Sequence, residues 1–187
     1  LYNDTITTKE DAIQDIADIF KTSIDSLDLR EFAFKPYYAK TFFDGRILKN
    51  GNRALFFEPM EALSGFFYES VLRTVFDYYD NNLSIDNVNN SLTLMSQDLE
   101  NFYHYLYQGG STYDSEFWTT VVESSTKKLK NNIRWDETIR KVNSCITKDN
   151  IIEMPVGFWF TEKWIDWDDK FNYNHFKKDY INKYFKQ

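Results

Sequence analysis

The stretch from Met60 to Tyr79 constrains this fold more than any other part of the chain. Glu58-Pro59 precedes it and Asp80-Asn81-Asn82 follows it. Proline suits the first turn of a helix, because its missing N–H would go unpaired there in any case. The Phe, Leu, Val and Tyr residues behind it wrap most of a helical circumference, which predicts one long, deeply buried helix over 58–79. Such a helix needs other elements packed around it.

The rest of the chain offers those elements mainly as helices. Thr7-Thr8 followed by Lys9-Glu10-Asp11 is a capped helix start, and Ile13, Ile16, Ala17, Ile19 and Phe20 recur at helical spacing over residues 8–22. Ser84-Ile85-Asp86 opens a helix to about Tyr107, which Gln108-Gly109-Gly110-Ser111 breaks. Further helices are expected over about 115–129 and 135–145, with a break at Met154-Pro155-Val156-Gly157 and a last helix from about Asn174. Extended chain is expected mainly at the front, and Phe158 with Phe160 alternates like a strand. Leu1 to Thr7 carries β-formers and reads as a strand, and Arg30 to Phe43 reads as extended around Pro36. Asp44-Gly45 signals a turn, and Asn50-Gly51-Asn52 is a loop that meets the apolar run Ala54 to Phe57. The expected class is therefore mainly α with a short β front: a strand-helix-strand portion over 1–57 and a helical region over 58–187. Two or three strands without a closing partner make a poor sheet, so the front fits a piece whose sheet continues in other sequence.

Composition narrows the function. Seventeen Phe, thirteen Tyr and five Trp in 187 residues supply a real core and exclude disorder as the main state. A formal charge of -7 gives no electrostatic case for nucleic acid or an anionic membrane surface. No apolar run approaches the roughly 18 residues of a membrane span. Cys145 is the one cysteine and His104 and His175 the only histidines, so a disulfide within the chain and a His/Cys metal centre are both excluded. The polar opening Leu1-Tyr2-Asn3-Asp4 is unlike a secretory signal, and a cytoplasmic location is expected.

Chemistry concentrates between Gly51 and Gly65. A glycine-containing loop, an apolar approach and a helix N-terminus with two carboxylates follow one another there. Helix N-termini present free N–H groups and partial positive charge. Glu58 and Glu61, three apart, share one face; by sequence physics alone they are first-turn capping acids. His104 with Asp114 can be an acid–base pair or a packed histidine, and packing is the ordinary role. Trp159, Trp164 and Trp167, with Phe158, Phe160 and Phe171, can line an aromatic pocket or fill a core, the core being the default. Lys127, Lys128 and Lys130 read as a solvated helix end, and Cys145 as a small buried hydrophobe.

Gly51, Phe56, Glu58, Pro59, Met60 and Glu61 reproduce the spacing Gly-x-x-x-x-Phe-x-Glu-Pro-Leu-Glu. Leu1-Tyr2-Asn3-Asp4 through Thr8, Glu10 and Ala12 precedes it. Tyr103-His104-Tyr105 and Asp114-Ser115-Glu116-Phe117-Trp118 follow in order. Together these blocks, over about residues 1–118, resemble the C-terminal portion of the flavin-dependent tryptophan halogenase family. The resemblance implies a helical C-terminal cap on a flavin monooxygenase-type fold that uses reduced flavin (FAD) and oxygen on an aromatic, indole-like substrate. It implies a separate flavin reductase as partner and allows a homodimer. Glu61 matches the family's substrate-facing carboxylate, which accepts the ring proton; Gly51 and Asn52 match the strand end near the flavin; Ser64 and Gly65 match the start of the helix facing flavin and halide. No metal is implied.

The family's Gly-x-Gly-x-x-Gly fingerprint and catalytic lysine lie in its N-terminal half. That fingerprint is not in this sequence, and the chain begins with Leu1, so it reads as the tail of a longer protein that would not hold flavin alone. Ala62-Leu63-Ser64 stands where the family has Ser-Thr-Gly, whose Thr-Gly pair binds halide; Leu55 replaces a glycine and Glu116 a proline. A flavin-dependent hydroxylase on the same scaffold and a non-catalytic helical interaction module are the alternatives.

Overall fold

The computed structural model describes residues 2–57, 63–109, 111, 114–147, 150–157, 159–171, 173, 175 and 176. Six α-helices occur among them: α1 (Lys9–Phe20), α2 (Leu63–Tyr79), α3 (Ile85–Gln108), α4 (Glu116–Leu129), α5 (Ile133–Cys145) and α6 (Thr161–Phe171). Two antiparallel ladders accompany them, β1 (Tyr37–Tyr38) with β2 (Leu55–Phe56), and β3 (Pro155–Val156) with β4 (Trp159–Phe160). The mainly helical class is therefore observed; the β1–β2 ladder lies in the expected front, whereas the β3–β4 ladder lies outside it, in the region expected to be helical. Of the expected helix from about Asn174, His175 and Phe176 are not helical and the rest lies outside the described residues, as does the start of the expected helix at 58–62.

Side-chain caps explain where the helices begin. The hydroxyls of Thr8, Ser84 and Ser115 accept the N–H of Asp11, Asn87 and Trp118, and the Asn132 carboxamide accepts those of Arg134 and Trp135. Helix α1 stops at Lys21, whose left-handed φ of 52° directs its N–H back to the Ala17 and Asp18 carbonyls.

Helix α3 is the axis of the molecule. At 24 residues it runs about 36 Å, with α2, α4 and α5 against it. It buries Val88, Leu92, Leu99, Phe102, Tyr103 and Tyr105 in a core that also takes in Phe42, Phe43 and Leu55 of the front. Polar clasps set its neighbours. Asp98 holds Arg134 of α5 through both oxygens at 2.6 Å, and Asn132 Nδ2 donates to Asn101 Oδ1 at 2.8 Å. Asn89 fixes the front: its Oδ1 accepts the N–H groups of Phe42 and Phe43 at 2.7 and 3.0 Å, and its Nδ2 donates to the Phe43 carbonyl at 2.7 Å.

Three expectations are corrected. Residues 2–7 are not a strand, because Asn3 turns the chain. Its carboxamide accepts the Thr5 N–H at 3.0 Å and its carbonyl accepts those of Ile6 and Thr7. Residues 30–36 form no ladder; within 30–43 pairing is confined to Tyr37 and Tyr38 and to an isolated antiparallel bridge of Phe43 with Leu48. Helix α2 is not buried on most sides. Leu63, Phe67, Val71 and Val75 form its one buried stripe, while Phe76 and Tyr79 are 66% and 62% exposed. Its apolar wrap exceeds the surface that α3 and the front cover.

Candidate functional site

Glu100, Tyr103, His104 and Tyr107 follow the i, i+3, i+4, i+7 spacing of one helix face. That face of α3 forms one wall of a cleft of about 370 Å³. Pro36, Tyr37, Tyr38 and Phe57 of the front and Lys128 of α4 complete its lining. The volume is in the range that holds a small ligand.

The short β1–β2 ladder exists at the right place to build the front's part of this lining. Tyr38 pairs with Leu55, and the Ala39 N–H donates to the Ala54 carbonyl at 2.7 Å. This brings Tyr38 against Phe57, edge to face at 6.4 Å between centroids. Phe57 meets Tyr103 at 5.6 Å, and Tyr107 meets Trp118 at 6.1 Å. The first two contacts are edge to face and fix ring angles as well as distances; Tyr107 and Trp118 are tilted at 47°. The Tyr37 hydroxyl donates to the Asn52 carbonyl, tying the cleft wall to the loop before β2.

His104 lines the cleft beside the charged Glu100 and Lys128. Its Nδ1 lies 3.3 Å from the hydroxyl of buried Ser125. Burial pushes its pKa below the usual 6.5; Glu100 opposes the shift and Lys128 adds to it. The imidazole is therefore neutral at pH 7. Asp114 is exposed and is not among the partners of His104, so of the two readings of His104 the acid–base pair with Asp114 is not formed. The linkage sign follows from the lowered pKa. The unfolded chain takes up this proton first, so stability is full above about pH 6.5 and is lost as pH falls toward the folded value. His175 is shifted the same way by burial. His104→Gln removes one of the two titrations and is expected to flatten the fall in urea-unfolding stability below pH 6.5, by at most about 1.4 kcal/mol per pH unit.

The tryptophans fill the core. Trp164 contacts Phe102, Tyr105 and Trp135 at centroid distances of 5.6, 5.4 and 6.0 Å, and Trp159 contacts Trp167 at 5.0 Å. Phe160 and Phe171 are exposed, and Phe158 lies outside the described residues. Buried Asp168 accepts the N–H groups of His175 and Phe176 at 3.1 and 3.2 Å, and Tyr173 donates to the Tyr105 carbonyl at 2.6 Å. These bonds tie Tyr173, His175 and Phe176 onto α3 and α6. Burial raises the Asp168 pKa, with its two N–H partners and His175 pulling the other way. Cys145 is buried and free, as its small-hydrophobe reading requires. Lys127, Lys128 and Lys130 are exposed at the end of α4.

Of the residues assigned by resemblance, Glu61 lies outside the described residues, together with Glu58, Pro59, Met60 and Ala62. Gly51 opens a 3₁₀ turn with φ +57°, a value that favours glycine. A side chain built at Gly51 or Gly65 would meet nothing within 4 Å. Asn52 Oδ1 accepts the hydroxyl of Tyr68 on α2 at 3.0 Å, and Tyr68 follows Ser64 by one helical turn. The loop before β2 and the start of α2 are thus joined through Tyr68. None of these four residues lines the aromatic cleft; Asn52 touches it through Tyr37. Sequence reasoning missed the cleft, although the Glu100–Tyr103–His104–Tyr107 spacing was the signal for it.

Among the described residues no cluster of His, Cys, Asp and Glu could hold a metal ion, and no helix is long and apolar enough to cross a membrane. No family model matches the chain, and no curated protein matches it.

Proposed function

We propose that the cleft between α3 and the β front binds a flat aromatic molecule, and that the chain supplies the substrate side of a flavin-dependent oxidoreductase resembling the tryptophan halogenases. The observation that carries this reading is the place of the cleft in the chain. Phe57, a wall residue, directly precedes the Glu58–Glu61 segment that the resemblance assigns to the substrate. Rings of Tyr38, Phe57, Tyr103 and Tyr107 give an aromatic ligand apolar surface and ring edges. Glu100 and Lys128 contribute one charge of each sign, so the cleft does not select a polyanion.

In the intact enzyme the flavin would supply the oxidising chemistry. The open backbone at Gly51 and Gly65 fits one edge of such a cofactor, but the sequence has no Gly-x-Gly-x-x-Gly cradle for its pyrophosphate. The residues of this chain have the other tasks: the cleft orients the ring, and Glu61 takes the proton that aromatic substitution releases. One observation favours hydroxylation over halogenation. Leu63, in place of the family's threonine, is 3% exposed and packed in the core, where it offers an ion nothing.

Calorimetric titration of the full chain with indole tests the cleft. Saturable binding is expected, with Tyr38→Ala and Tyr107→Ala each weakening it about tenfold through lost ring contacts. Binding that neither substitution changes would place the ligand elsewhere.

A further inference from the structure

The cleft has one polar group whose orientation the surrounding helices dictate. Ser125 lies on α4 and is 1% exposed, and its hydroxyl has His104 Nδ1, at 3.3 Å, as its hydrogen-bond partner among the described residues. Serine within a helix commonly donates to the carbonyl one turn back. Ser96 does so to Leu92 at 2.8 Å and Ser70 to Phe66 at 2.9 Å. Ser125 makes no such bond, so the acceptor for its buried proton is the Nδ1 lone pair. A buried hydroxyl proton without an acceptor is costly, whereas an unused oxygen lone pair costs less. A neutral imidazole that accepts at Nδ1 carries its proton on Nε2. Among the described residues Nε2 has no hydrogen-bond partner, and the enclosed unpaired side-chain atoms there are Asn143 Oδ1 and Trp159 Nε1, not Nε2. It is therefore open, on a residue that lines the cleft.

We infer that His104 is a specificity-determining residue that donates its Nε2–H to an oxygen acceptor on the aromatic ligand, and that Ser125 is the positioning residue that fixes this tautomer. The ligand class follows from the neighbours. An anionic acceptor would face Glu100 as well as Lys128, so the acceptor is a neutral carbonyl or hydroxyl oxygen on the ring or one atom from it. The neutrality of the imidazole, maintained by burial, preserves the single-donor state over the physiological range. This inference rests on reading the cleft as an aromatic-ligand site.

The test compares ligand pairs that differ in the acceptor alone. Acetophenone and α-methylstyrene exchange C=O for C=CH₂ at almost constant shape, and indole-3-carbaldehyde and 3-methylindole provide the indole counterpart. In the full chain the oxygen-bearing member is expected to bind about tenfold more tightly in each pair. The double variant His104→Phe/Ser125→Ala keeps an aromatic ring in place and leaves no stranded hydroxyl. It is expected to bind both members of a pair equally, near the affinity of the oxygen-free one, with an unchanged circular dichroism spectrum. Imidazole ¹⁵N spectroscopy of the unmutated chain is expected to find the His104 proton on Nε2. Rings that bind with no preference for oxygen, or a proton found on Nδ1, would overturn the inference and leave the cleft reading standing. Failure of all four compounds to bind would overturn both.

Discussion

Trp164→Ala is expected to destabilise the chain by about 3–5 kcal/mol, the largest loss from any single truncation in the core. Trp164 is 4% exposed and meets four rings, those of Phe102, Tyr105, Trp135 and Trp167. Its indole Nε1–H donates to the Val156 carbonyl at 3.0 Å, and its own carbonyl accepts the Tyr105 hydroxyl at 3.4 Å. It therefore joins α6 to α3, α5 and the β3–β4 hairpin at once. Alanine leaves a cavity that three helices cannot close together. Trp164→Phe separates packing from hydrogen bonding: it keeps a ring and strands the Val156 carbonyl, at a cost of about 1–3 kcal/mol. Urea unfolding followed by circular dichroism measures both. A loss below 1 kcal/mol for Trp164→Ala would mean that this cluster is not the core.

Under the proposed function, Glu61→Gln is expected to lower turnover of the flavin-dependent enzyme to which this chain would belong by about 100- to 10,000-fold while leaving folding and flavin binding near normal. Glu61 is the carboxylate that the resemblance to the tryptophan halogenases assigns to the substrate. Glutamine keeps its shape and removes both its charge and its capacity to accept a proton. Glu58→Gln is the control. As a first-turn acid by sequence it is expected to cost stability, by about 0.3–1 kcal/mol, more than turnover. Activity retained by Glu61→Gln and lost by Glu58→Gln would shift the assignment by one turn. Activity retained by both would make the segment structural.

Local chemistry made most of the helices legible. Thr8, Ser84 and Ser115 announce helices in the sequence, and each caps one in the structure. Gln108-Gly109 ends α3 as its composition predicts. What escaped the sequence depends on distant partners. Nothing in Tyr37-Tyr38 names Leu55-Phe56 as its ladder, and nothing in Asn89 announces that it will satisfy the backbone of Phe42 and Phe43, 46 to 47 residues earlier. The β-formers of residues 2–7 gave way to the turn made by the Asn3 side chain, a bond worth more locally than an unpartnered strand. The helical pattern of α2 was readable, but how much of its apolar surface would be covered was not, since that depends on the elements around it.

The candidate site was legible in the same partial way. His104 stood out as one of two histidines, and Asp114 was its nearest acidic suggestion along the motif. The fold instead turns His104 toward Ser125, one α-hairpin away, and toward a wall built from the front. The neighbouring Phe102 and Tyr105 face the core, and this division of one aromatic run between two sides of α3 separates cleft from packing.

The central claim is that an aromatic ligand occupies the cleft between α3 and the β front. Intermolecular nuclear Overhauser effects between indole and the isotopically labelled full chain test it most directly. Indole ring protons are expected to show cross-peaks to Tyr38, Phe57, Tyr103 and Tyr107, and to lose them in Tyr107→Ala at matched concentration. Cross-peaks confined to the exposed side of α2, at Leu72, Phe76 and Tyr79, or the absence of any saturable binding, would contradict the account.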